Sequence, residues 1–83
     1  MTEFARDRLR WRREEDEAIV DVYIEHGRGG GGTAVLRPLA ARLGRSEASV
    51  RMRLANVRAV VEGGGLGNVA KQTRDVAKAK GLV

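Results

Sequence analysis

The chain has 83 residues, with 16 Lys and Arg against 11 Asp and Glu, a formal charge of +5, one histidine and no cysteine. That length allows one small domain, and the lack of cysteine excludes disulfides, thiolate metal sites and thiol catalysis while fitting a reducing, cytoplasmic setting. No apolar run approaches the roughly 18 residues of a membrane span, and the charged N-terminus lacks the apolar core of an export signal.

Residues 1–10 read as a basic arm, with Arg6, Arg8 and Arg10 alternating with Ala5, Asp7 and Leu9. A first helix is expected from Arg12 or Arg13. Glu14, Glu15, Asp16 and Glu17 then lie in its first turn, where the positive end of the helix dipole favours acids. Ile19, Val22 and Tyr23 recur at helical spacing, Val20 and Ile24 widen the face, and Gly27 closes the helix after His26. The four glycines at 29–32 predict a flexible loop. A second helix is expected from about Leu36, which puts Pro38 in its first turn, where the missing N–H does no harm. A start at Thr33 would set Pro38 too deep. Leu36, Leu39, Ala40 and Leu43 form its apolar side, and Gly44 ends it.

The third helix has Ser46 as N-cap and runs to about Glu62. Val50, Leu54, Val57 and Val61 form one continuous apolar stripe along it. Gly63, Gly64 and Gly65 close it. Residues 63–83 form a glycine hinge and a basic segment. A short fourth helix over 68–80 is an option there, with Asn68 as its cap and Val69, Thr73 and Val76 on one side.

Residues 1–26 carry five Arg and eight acids; residues 27–83 carry eight Arg and three Lys against Glu47, Glu62 and Asp75. The halves are therefore −3 and +8, and a basic C-terminal two-thirds points to a polyanion, most often nucleic acid. Two helices joined through Gly44-Arg45, the second rich in arginine, read as a helix-turn-helix. Trp11-Arg-Arg-Glu14-Glu15-Asp16 resembles the W-x-x-E-E-D opening of Myb/SANT repeats, and Gly44-Arg45-Ser46 resembles their G-R-[ST] turn. Ile19, Val22, Tyr23 and Gly27 fall in step, and Leu36 and Leu54 stand where the family places its second and third tryptophans. The resemblance covers residues 11–58 of an expected 11–62 domain. It implies an all-α, three-helix Myb/SANT-like bundle with Trp11, Leu36 and Leu54 meeting at its centre. Ser49-Val50-Arg51-Met52-Arg53-Leu54-Ala55-Asn56 is also similar to the S-V-x-x-[KR]-L-x-N run in the N-terminal modules of some HNH endonucleases. No nuclease domain follows in this sequence, so cleavage is not expected.

With the apolar stripe inward, Ala48, Met52, Ala55 and Ala59 lie on the outer face of the third helix, flanked by Arg51 and Asn56. Small side chains there would let the backbone approach the major groove. Arg51 suits guanine edges, Asn56 adenine or a phosphate, and Met52 a thymine methyl. In the Myb family the position of Arg51 is often a base-reading lysine and the next an asparagine; here Met52 follows, so the family's sequence preference does not carry over. Arg45 and Arg58 are candidate phosphate clamps. Arg53 is placed to pair with the acids of the first helix and to add to the basic surface. Arg6, Arg8 and Arg10 either enter the minor groove or raise affinity as a free polycation. Lys71, Arg74, Lys78 and Lys80 either track phosphates or form a solvated face. The Ala48/Met52/Ala55/Ala59 strip would also suit packing against the C-terminal segment, a second copy of the chain or another protein, though the arginines favour DNA.

An enzyme, a cofactor and a metal are not expected. The glycine run lacks the Gly-Lys-[Ser/Thr] of a phosphate-binding loop. His26 stands alone, Ser46 and Ser49 have no partner base, and Glu14 to Glu17 fan around a helix. The sequence therefore predicts a double-stranded DNA-binding protein, either a small transcriptional regulator or a phage or mobile-element accessory protein, associated with the nucleoid if bacterial or phage. The alternative is a SANT-type adaptor that binds a host or regulatory protein.

Overall fold

A computed structural model describes residues 5–63 and 70–83. A 3-10 turn over Ala5–Arg8 is followed by α1 (Arg13–His26), α2 (Thr33–Leu43), α3 (Glu47–Glu62) and α4 (Lys71–Ala79). The described residues are all-helical, with no strand. α1 begins where its acids predict: the Arg12 N–H donates to Glu15 Oε1 at 2.8 Å, and Gly27 closes the helix by donating to the Tyr23 carbonyl.

α2 starts at Thr33, a turn earlier than Leu36, so Pro38 does lie inside the helix. The proline removes the N–H that would bond the Ala34 carbonyl. Ala34 and Pro38 are both exposed, so water can take that carbonyl and the early start is tolerated. The glycine run ahead of it is a packed turn, not a loose loop. Gly30 is buried at φ +63°, and a Cβ there would come within 2.7 Å of the Leu54 side chain and 3.1 Å of Leu36 and Val22. Only glycine lets this turn sit directly on the core.

Ile19 and Val20 of α1, Leu36, Leu39 and Ala40 of α2, and Val50, Leu54 and Val57 of α3 form that core. The optional fourth helix is present and belongs to it: α4 packs on both α1 and α3, with Thr73, Val76 and Ala77 fully buried. Asn68 and Val69, the expected cap and first apolar residue of this helix, lie outside the described residues; Ala70 takes the cap position. Gly81 and Leu82 turn the chain back by bonding the Lys78 and Ala77 carbonyls, and Leu82 packs on the core.

Two expectations are corrected here. Trp11 packs against the core from outside and is not buried with Leu36 and Leu54 at its centre. It is half-buried at the edge, with the guanidinium carbons of Arg45 and Arg53 at 4.2 Å and 5.0 Å from its ring centroid. The arm is not free from Ala5 onward. The Arg6 N–H donates to the Gly44 carbonyl at 3.2 Å, and Asp7 Oδ1 accepts from the Ser46 N–H at 2.9 Å. Its 3-10 turn is thereby docked on the link between α2 and α3.

Candidate nucleic-acid interface

That link is set by backbone chemistry. Gly44 takes the left-handed conformation, φ 69° and ψ 28°, while its N–H and that of Arg45 close α2 on the Ala41 and Ala40 carbonyls. This pattern needs a residue without a Cβ penalty and points the next residues away from the α2 axis. Ser46 then caps α3, its hydroxyl accepting from the Ser49 N–H at 3.1 Å. The inward stripe of Val50, Leu54 and Val57 fixes the rotation of α3 about its axis.

Arg45 is the main correction to the expected contact set. It is 0% exposed and cannot act as a phosphate clamp. Its Nε and Nη2 bind both oxygens of Glu15 at 2.9 Å and 3.0 Å. Its remaining donors bind the carbonyls of Arg6, Leu9 and Arg10. Every acceptor lies on α1 or on the chain leading to it, so Arg45 ties the α2–α3 link to the N-terminal segment. Arg6 adds its guanidinium to Glu15 at 3.0 Å and also leaves the set of free arm cations. Burial raises the pKa of Glu15; the hydrogen bonds from Arg45, Arg6 and the Arg12 backbone outweigh it and hold the carboxyl at about 2.

Arg53 is removed from the surface by a similar arrangement. It grips buried Asp16 with two bonds of 2.7 Å and 2.8 Å. Gln72 and Thr73 of α4 donate to the same carboxylate at 2.7 Å and 3.1 Å. One buried acid of α1 therefore joins α1, α3 and α4. The expected pairing of Arg53 with the acids of α1 is present, but buried rather than on the surface.

The rest of the predicted set divides clearly. Ala48, Arg51 and Met52 are exposed, Met52 at 65%, and Ala55 and Ala59 are half-buried on the same face. Asn56 is turned to internal use: it donates to the Met52 carbonyl and accepts from the Ala70 N–H, which seats the start of α4. α4 thus covers the Asn56 flank of α3 and leaves Ala48 and Met52 open. Arg58 is half-buried, with its Nε buried and without a hydrogen-bond partner among the described residues. Arg8 and Arg10 are exposed and make no ion pair among the described residues; Arg10 lines a hollow with Trp11, Arg53 and the start of α4.

Three residues outside the expected contact set form a bonded chain with Arg51. Glu47 accepts from Arg51 Nε at 2.9 Å and from Arg37 Nε at 3.2 Å, and Thr33 Oγ1 accepts from Arg51 Nη2 at 3.2 Å. Thr33 and Arg37 lie on one side of α2, Glu47 and Arg51 on one side of α3. The hydrogen bond from Arg51 lowers the pKa of Glu47 despite the opposing effect of burial, and Arg37 lowers it further. The i, i+4 spacing of Glu47 and Arg51 was the available signal.

Among the described residues, no group of three or more His, Cys, Asp or Glu is placed to hold a metal ion. No described helix is long and apolar enough to cross a membrane. Comparison with protein-family models, with curated proteins and with solved structures returned no match.

Proposed function

We propose that this chain is a non-enzymatic, Myb/SANT-like protein that binds double-stranded DNA, as a small transcriptional regulator or a phage or mobile-element accessory protein. One observation carries the reading: the outward face of α3 presents Ala48, Arg51 and Met52 beyond a glycine turn on which the arm bearing exposed Arg8 is docked, with exposed Arg10 by Trp11 and the start of α4. Ala48 lets a groove wall come close, Arg51 supplies hydrogen-bond donors to base edges, and the arm cations meet backbone phosphates. The test is an electrophoretic mobility shift over a salt series, followed by selection of bound sites from random duplex. Binding that weakens steeply with salt and enriches a short site supports the reading. No binding at low salt overturns it.

Met52 gives the second reading its footing. A long apolar side chain at 65% exposure, beside Ala48 and half-buried Ala55, also fits a protein surface. A SANT-type adaptor, or a pair of copies of this chain, would bury Met52 and leave the mobility shift blank.

A further inference from the structure

Arg51 is not presented as a mobile counterion. Its planar fork has five N–H donors. Glu47 takes the Nε–H at 2.9 Å and also lies 2.9 Å from Nη2, while Thr33 takes a bond from Nη2 at 3.2 Å. Glu47 is itself held from the other side by Arg37 at 3.2 Å. The Arg51 side chain remains 46% exposed, and among the described residues nothing accepts from Nη1. Nε and Nη2 are therefore committed to the protein, and Nη1, with its two hydrogens, is left for a ligand.

We infer, resting on the DNA-binding reading above, that Arg51 is a buttressed reader of guanine in the major groove and that Glu47 is the residue that positions it. A phosphate clamp needs positive charge and little direction, and the carboxylate beside Arg51 works against that role. A base reader needs direction, which the carboxylate and Thr33 supply. Nη1, with both hydrogens unclaimed, can donate to the O6 and N7 acceptors of guanine together. Adenine sets an N6 amino group where O6 would be, so donor faces donor. Glu47 thus trades general attraction to DNA for discrimination between bases. Arg37 keeps Glu47 in place and is itself kept from roaming along the backbone.

The experiment uses the full chain and three duplexes. One is a selected site with a required G·C pair, one carries A·T at that pair, and one is random. Affinities are measured by fluorescence anisotropy at one fixed salt concentration for the wild type, Glu47→Gln, Thr33→Val and Arg51→Ala. The wild type should prefer the G·C duplex by about tenfold or more. Glu47→Gln should cut that ratio to about threefold or less while raising affinity for random duplex, because a repelling charge is gone. Thr33→Val should lower the ratio with no change of charge, and Arg51→Ala should abolish it. The Arg51 Nε–H signal in NMR spectra should exchange slowly in the wild type and fast in Glu47→Gln. A Glu47→Gln protein that keeps the full ratio, or weakens on all three duplexes alike, overturns the inference. Wild-type binding with no guanine preference overturns it while leaving the DNA-binding reading intact. No duplex binding at low salt overturns both.

Discussion

Arg45 and Arg51 flank the start of α3 and have opposite fates. Both are arginines in the stretch a helix-turn-helix would place against DNA, yet Arg45 is sealed on Glu15 and Arg51 stands in the open. Residue type and position could not separate them, because the partner of Arg45 lies far back in the sequence and burial depends on how the N-terminal segment docks. Removing one member of a buried ion pair is destabilising by roughly 3–5 kcal/mol, and loss of Arg45 would leave Glu15 with Arg6 as its one cationic partner and free the three carbonyls Arg45 binds. Arg45→Met should therefore lower the free energy of unfolding by about that much in urea titrations, while Arg51→Ala should change it by less than about 0.5 kcal/mol. The same pair sets an acid limit. Glu15 has its folded pKa depressed to about 2, so its stabilisation is complete above the ordinary carboxylate range of about 4.3. It is lost as pH falls through that window toward the folded value. A tenfold difference in proton affinity between the folded and unfolded chain is worth about 1.4 kcal/mol, so the loss across this window is about 3 kcal/mol. Glu15→Gln should flatten this part of the stability curve between about pH 5 and pH 2. Asp7, held low chiefly by hydrogen bonds from Ser46, acts in the same direction.

At the scale of elements, the packed glycine turn before α2 differs most from the loop its composition suggests. Gly30→Ala places a Cβ within 2.7 Å of Leu54 at a φ of +63°. It should destabilise the protein by roughly 1–3 kcal/mol in thermal or urea unfolding. Gly29→Ala meets nothing within 4 Å and should be neutral or slightly stabilising, which separates packing from composition. A run of four glycines looks the same whether it is slack or pressed against a core; only the approach of Leu36 and Leu54 distinguishes the two. α1 and α3 were legible because their apolar spacing, caps and terminal glycines agree with one another. The start of α2 was not, because exposure of Ala34 makes an interior proline tolerable and exposure is a tertiary property. α4 gave a thin stripe because half of its seat is polar: Thr73 and Gln72 dock on Asp16, and Asn56 receives Ala70.

Over the whole molecule, the uneven charge of the two halves has two outcomes. Part of it is spent inside the fold, since Arg45, Arg53 and Lys80 from the basic part pair with Glu15, Asp16 and Asp21 from the acidic part. The charge asymmetry was readable from the sequence; which cations it would consume was not, since that follows from helix packing. What remains for a polyanion is the smaller set that finds no such partner. Arg8 and Arg10 belong to it: Arg8 follows Asp7, which is docked on Ser46, and Arg10 lies by Trp11 and the start of α4, where Asp75 is already paired with Lys71. Arg42, by contrast, borders a groove between α1 and α2 that also holds Asp21 and Glu25. These placements lead to different salt responses. Each phosphate neutralised by a cation contributes about 0.9 to the slope of log affinity against log salt. Arg8→Ala with Arg10→Ala should therefore reduce the slope on random duplex by about 2 and weaken all sequences alike. Arg42→Ala should leave the slope unchanged, because its guanidinium shares its groove with two carboxylates instead of facing the duplex. If Arg42→Ala lowers the slope as much as the arm variant does, DNA lies across α2, and the outward face of α3 is left to a protein partner.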